Sequence, residues 1–189
     1  MLKHLRPAFS IVVLMTALTG IAYPLAITGV AQAIAPAKAN GSLILRDGHV
    51  IGSRLIGQSF NSDGYFWPRP SATASVPYNA DASGGSNYGP TSASLRSRVT
   101  ADITRLSGTG MRAPLPADAV MASGSGLDPD ISPDFARAQV SRVAKTRGIE
   151  QADLDRLVET HTSGRWLGFI GEPRVNVLEL NLALDALKT

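Results

Sequence analysis

Ser125, Asp128 and His161 together supply a nucleophile, a carboxylate and a base, the residue types of a hydrolytic triad. His161 is the one histidine well inside the second half of the chain, so a triad must be built on it. With no cysteine present, a metal cluster of several His and Cys ligands is excluded. Met121 stands where a G-x-S-x-G nucleophile elbow needs glycine. Asp128 and Asp130 lie two apart, but neither the EF-hand spacing nor a bidentate Glu accompanies them, so no metal site is expected. The run Ser123-Gly124-Ser125-Gly126 offers backbone N–H groups ahead of a helix start, as a phosphate cradle does, yet the Lys and Ser/Thr of a P-loop are missing. A second small-residue run, Ser83-Gly84-Gly85-Ser86-Asn87, loosely resembles the signature loop of ABC-type ATPases, with Asn87 where that loop has Gln. The plainer reading of both runs is a turn, and that of His161 is a helix end, where a basic group meets the negative pole of the dipole.

Other residues suit contact with a partner better than catalysis. Asn61 to Pro90 is long, rich in Gly and Pro and without period, and it carries Tyr65, Trp67, Tyr78 and Tyr88 beside Arg69. Loops of this length are functional or disordered, and aromatics argue against disorder. These rings either anchor an interface or pack the loop on its own domain. Asp128, Arg165 and the Glu172-Pro173-Arg174 segment complete the candidate partner surface, with Glu172 and Arg174 also readable as an ion pair fixing a turn.

Several elements must position these residues. Pro7 to Ala37 contains no charged residue and is long enough for one helical membrane pass. A secretory signal peptide is the competing reading, with Lys3 and Arg6 in front and Ala33-Ile34-Ala35 or Ala37-Lys38-Ala39 as cleavage sites; the apolar run from Ala8 to Ile34 is about twice a signal peptide's. The expected organisation is a short cytoplasmic N-terminus (1–7), a transmembrane helix (8–35) and an extracytoplasmic soluble domain (36–189). Ala35 to Gly41 reads as a linker, and Asp47-Gly48 between apolar bursts signals a hairpin. A helix is expected over Thr91 to Ser107, with Leu95, Val99, Ile103 and Leu106 as its buried stripe. Ala119 to Ala122 reads as a short strand or an entry to the Ser-Gly run. Ser132 as cap, Pro133 at the first position, Asp134 beside the positive pole and Gly148 as stop predict a helix from Pro133 to Arg147. Its inward residues are Phe135, Val140, Val143 and Ala144. Glu150 to His161 reads as a helix burying Leu154, Leu157 and Val158. Arg165 to Gly171 is a strand or an aromatic-rich loop, and Val175 to Leu187 is helical with Leu180, Leu184 and Leu187 in line. The class is therefore a helix-rich α+β soluble domain behind one N-terminal transmembrane helix.

The net charge of +3 does not indicate nucleic acid. Lys3, Arg6 and Lys38 flank the apolar run, leaving 15 basic against 15 acidic residues from Ala39 onward, a formally neutral domain with no electrostatic footprint for DNA or RNA.

Five blocks in order, LIGQSF, YFWPRPSA, YNADASGGSNYGPT, VMASGSGLDPDISPDFARAQVSRVA and HTSGRWLGFIGEPRVNVLELNLALD, resemble the C-subunit family of Kdp-type potassium-transporting P-type ATPases over nearly the whole chain. The resemblance implies an accessory, non-catalytic subunit of an ATP-driven potassium uptake complex in the bacterial inner membrane. Its implied partners are a channel-like potassium-binding subunit, a P-type ATPase subunit and a small stabilising peptide. It implies no cofactor of the chain's own. It also implies a catalytic-chaperone role that raises the ATP affinity of the ATPase subunit, with Ser83 to Asn87 as the nucleotide-linked loop, although the expected topology puts that loop across the membrane from cytoplasmic ATP. An exported enzyme centred on His161, Asp128 and Ser125, or a nucleotide-binding regulator, are the alternatives.

Overall fold

The computed structural model describes residues 2–187, which fall into two compact units, Met1–Ile51 and Gly52–Thr189. The first unit is dominated by a helical stretch, Leu5–Ile34, made of α1 (Leu5–Met15), a π-helical segment (Thr16–Ala22) and α2 (Tyr23–Ile34). Apolar side chains surround it on all sides and none of its residues is buried. At 1.5 Å per residue it spans about 45 Å, longer than the roughly 30 Å core of a bilayer, so it is long and apolar enough to cross a membrane. Pro24 lies inside this continuous stretch, where it lacks the N–H for the helical ladder, and the widened π segment directly precedes it. The expected linker contains a single turn, α3 (Pro36–Ala39), and the Gln32 and Asn40 side-chain amides exchange hydrogen bonds at 3.0 and 3.2 Å across it. Strands β1 (Leu43–Arg46) and β2 (His49–Ser53) then form the expected hairpin. Asp47 and Gly48 at its tip have φ of 52° and 78°, the two positive values that a type I′ turn requires.

The second unit packs α4 (Ala93–Gly108), α5 (Pro133–Arg147), α6 (Gln151–Thr160) and α7 (Val177–Ala186) with a small antiparallel sheet of β3 (Asp130–Ile131), β4 (Thr162–Ser163) and β5 (Arg174–Asn176). The strand order is β3-β5-β4, with Ile131 and Thr162 both opposite Val175. Helix α5 forms as its punctuation predicts. Ser132 Oγ accepts from Phe135 N–H at 3.0 Å, Pro133 sits in the first turn, and Gly148 ends the helix at φ 67°. Asp118 reinforces the cap by accepting from both Ser132 N–H and Oγ–H, at 2.6 and 2.9 Å. Phe135, Val140, Val143 and Ala144 point inward as expected, and so do Leu154, Leu157 and Val158 of α6.

The pattern misleads in four places. Helix α4 starts two residues later than expected and buries only Leu106 fully, while Ile103 is 42% exposed. Its half-buried face instead carries Arg98 and Asp102, paired at 3.4 Å. Of the two readings of Ala119 to Ala122, the strand does not form: a 3-10 turn at Ala117–Ala119 leads into the Ser-Gly run, and the strand lies further on at Asp130–Ile131. Arg174–Asn176 is extended, so the last helix begins at Val177. Leu187 lies just beyond that helix and is exposed, leaving Leu180 and Leu184 to fill the core.

Candidate functional site

The long loop is held by side chains. Its Tyr65-Phe66-Trp67 segment threads between α5 and α7, where two amide side chains replace the neighbouring strands it lacks. Asn181 Oδ1 accepts from Phe66 N–H at 2.8 Å while its Nδ2 donates to Phe66 O at 2.9 Å. Gln139 does the same for Trp67, accepting at 2.6 Å and donating at 3.0 Å. All four residues are buried, so these bonds satisfy backbone groups that water cannot reach. Arg142 donates to Asp63 O, Tyr65 O and Gln139 Oε1, and its guanidinium lies 3.9 Å from the centre of the Trp67 ring. Burial pulls the Arg142 pKa down to about 10, which leaves its charge in place at neutral pH. Tyr65 packs on Phe60, sits under Arg147 and donates its hydroxyl to Asp185 at 3.2 Å. Of the two readings of the loop aromatics, Trp67 follows the second: it packs into the domain's own core, beside Phe66. Gln139, Asn181 and Arg142 were not singled out from sequence, although polar residues on the apolar face of a helix were the available signal.

The charged candidates converge elsewhere. Arg69, Asp128, Glu172 and Arg174 line one cleft of about 430 Å³, together with Asp118 and Asp130. Arg69 pairs with Asp128 at 2.7 Å and donates to Met121 O, and the Tyr78 hydroxyl donates to Arg69 O at 2.5 Å. Asp128 accepts from Asp130 N–H at 3.0 Å, turning the Asp-Pro-Asp corner into β3. Arg174 pairs with Asp130 at 3.0 Å, and Arg165 pairs with Glu172 at 2.6 Å. Burial, with Asp128 nearby, raises the Tyr78 pKa, so the phenol stays neutral. Burial also raises Asp130, against the opposing pull of Arg174. The cleft is thus braced by ion pairs, with Asp118 held instead by Ser132. Tyr88 stands apart from it and is 48% exposed.

The two small-residue runs lie against each other, which sequence alone does not reveal. Gly84 N–H and Ser83 Oγ–H both donate to Ser125 O, at 2.8 and 3.1 Å. A Cβ on Gly85 would meet Gly124 O at 3.0 Å, and one on Gly126 would meet Thr73 Cγ2 at 2.6 Å and Gly84 O at 2.8 Å. Glycine is needed here because two backbones touch. Gly84 N–H is therefore already bonded, and Ser86 and Asn87 continue the run toward Tyr88. The residues of the hydrolytic reading have other partners. Ser125 Oγ accepts from Leu127 N–H, Asp128 is held by Arg69, and His161 caps α6 with Nδ1 2.9 Å from Leu157 O. No hydrogen bond among the described residues joins any two of the three.

The family model described as "KdpC: K+-transporting ATPase, c chain" matches residues 5–186. Relatives named "Potassium-transporting ATPase KdpC subunit" include one from Allorhizobium ampelinum, 58% identical over 98% of this chain and 97% of its own. Another, from Methylobacterium nodulans, is 56% identical over 99% of this chain and 98% of its own. A third, from Sorangium cellulosum, is 55% identical over 98% of each. A match that runs from the apolar helix through the charged cleft to α7 leaves one assignment: the chain belongs to the KdpC family, the c chain of K+-transporting ATPases.

Proposed function

We propose that this chain is a membrane-anchored accessory subunit of an ATP-driven potassium uptake complex, and that its work is assembly and support rather than catalysis. One observation carries the reading: a 30-residue helical stretch with no buried residue leads into a unit whose candidate chemical groups are tied up in structural pairs. Such a helix has no place to bury its apolar surface except a bilayer or other helices within one. The complex is taken to lie in the bacterial inner membrane, with residues 1–7 in the cytoplasm and the bulk of the chain outside. Its partners are the channel-like potassium-binding subunit, the P-type ATPase subunit and the small stabilising peptide. A chaperone effect on ATP affinity then reaches the ATPase subunit through the membrane assembly, because the loop at Ser83 to Asn87 is engaged with Ser125 and lies on the side away from ATP.

Co-purification tests the reading. Full-length chain is expected to recover the other subunits from solubilised membranes. A chain lacking residues 1–37 is expected to stay soluble and recover none. Complete assembly of that fragment would overturn the requirement for the anchor.

A further inference from the structure

Residues 165–172 make a tight turn whose backbone closes on itself. Trp166 N–H donates to Ile170 O and Ile170 N–H to Trp166 O, both at 2.9 Å, while Gly168 and Phe169 N–H donate back to Arg165 O and Trp166 O. The Arg165–Glu172 pair closes its base. The tip holds Trp166, Leu167, Phe169 and Ile170, which are 68, 66, 73 and 45% exposed. Leu167 has φ of 52°, a left-handed conformation that Asn, Asp or Gly adopts with less strain. With 66% of its surface exposed, the Leu167 side chain gains little from packing to offset that strain. Strain of this kind collects at working surfaces.

We infer that this turn dips into the bilayer interface, with its four apolar side chains at the boundary of headgroups and acyl chains and the Arg165–Glu172 pair at headgroup level. The inference rests on the membrane-anchor reading above. The chain's own anchor favours lipid over a protein partner: its 30-residue apolar helix already holds the chain at a bilayer, and the four side chains expose on the order of 500 Å² of apolar surface to it. A self-bonded turn also brings few unpaired backbone groups into a low-dielectric layer, and Trp favours that layer.

Tryptophan fluorescence tests it. The chain has two tryptophans, and Trp67 is buried in the core. Full-length protein is reconstituted in vesicles of phosphatidylethanolamine and phosphatidylglycerol, with and without brominated acyl chains, and floated to confirm association. Bromine is expected to remove the Trp166 component, which Trp166→Phe defines by difference, and to leave Trp67 emission intact. Leu167→Asp suits the backbone but charges the tip, so it is expected to abolish the quenching without lowering the unfolding temperature. Protein that floats yet keeps full Trp166 emission overturns the inference alone, whether iodide reaches the ring from water or a protein surface shields it. Protein that does not float overturns the anchor reading, and the inference with it.

Discussion

Asp130 shows how a single carboxylate can be held against its own preference. Burial raises its pKa, and Arg174, itself more than half exposed, only partly offsets this. The folded chain therefore binds this proton more readily than the unfolded one does. Between the ordinary aspartate value and the raised one, the folded state carries more protons, so stability falls as pH rises through that window and the loss is complete above it. Asp130→Asn removes the titration while keeping the shape. The lost partly exposed ion pair is worth about 1 kcal/mol at most. The variant is expected to match or exceed the parent's unfolding temperature at pH 7, with the difference closing as pH falls toward 4. Because every other carboxylate is common to both proteins, the difference between their pH profiles isolates this one. A variant clearly less stable at pH 7 would mean that the Arg174 pair outweighs the burial penalty.

At the scale of elements, the unit depends on two helices lending side-chain amides to a loop. Asn181→Leu conserves volume but strands the N–H and C=O of Phe66 in a buried site. At about 1–3 kcal/mol for each of the two unpaired groups, the expected loss is roughly 2–6 kcal/mol. That should lower the unfolding temperature of the full chain in detergent by roughly 4–24 °C, as followed by circular dichroism; an unchanged midpoint would show that the amide clamp is dispensable. The same clamp explains what could be read in advance. Helix α5 was legible because its signals are local: Ser132, Pro133 and Gly148 act within a turn of where they stand. The order of the Tyr65–Trp67 segment was not legible, because its partners lie 72 and 115 residues away. Helix α4 misled because a regular apolar stripe specifies a helix but not which face is covered, and Trp67 draws Arg105 over its ring while Arg98 turns inward to Val120 O. The charged cleft was half legible: Arg69, Asp128, Glu172 and Arg174 were all candidates, but their convergence depends on β3 pairing with β5.

At the scale of the whole molecule, the question is which side of the membrane the second unit occupies, and the nucleotide reading of Ser83 to Asn87 depends on the answer. With residues 1–7 in the cytoplasm, as proposed above, the apolar helix carries everything after it across. ATP in the cytoplasm would then never meet the paired Gly-Ser runs, and the occupied N–H of Gly84 gives it one donor fewer there. The absence of cysteine makes a clean reporter available. Tyr88 follows the Gly-Ser run directly, is 48% exposed and has no side-chain hydrogen bond among the described residues, so Tyr88→Cys should fold as the parent does. In spheroplasts a membrane-impermeant maleimide is expected to label this cysteine completely without lysis, and millimolar ATP is expected to leave the unfolding temperature of the full chain unchanged, since a ligand that binds only the folded state must raise it. Labelling that appears only after lysis would put the unit in the cytoplasm. Together with an ATP-dependent rise in unfolding temperature, it would transfer the case from a scaffold outside the membrane to a nucleotide-binding regulator within the cell.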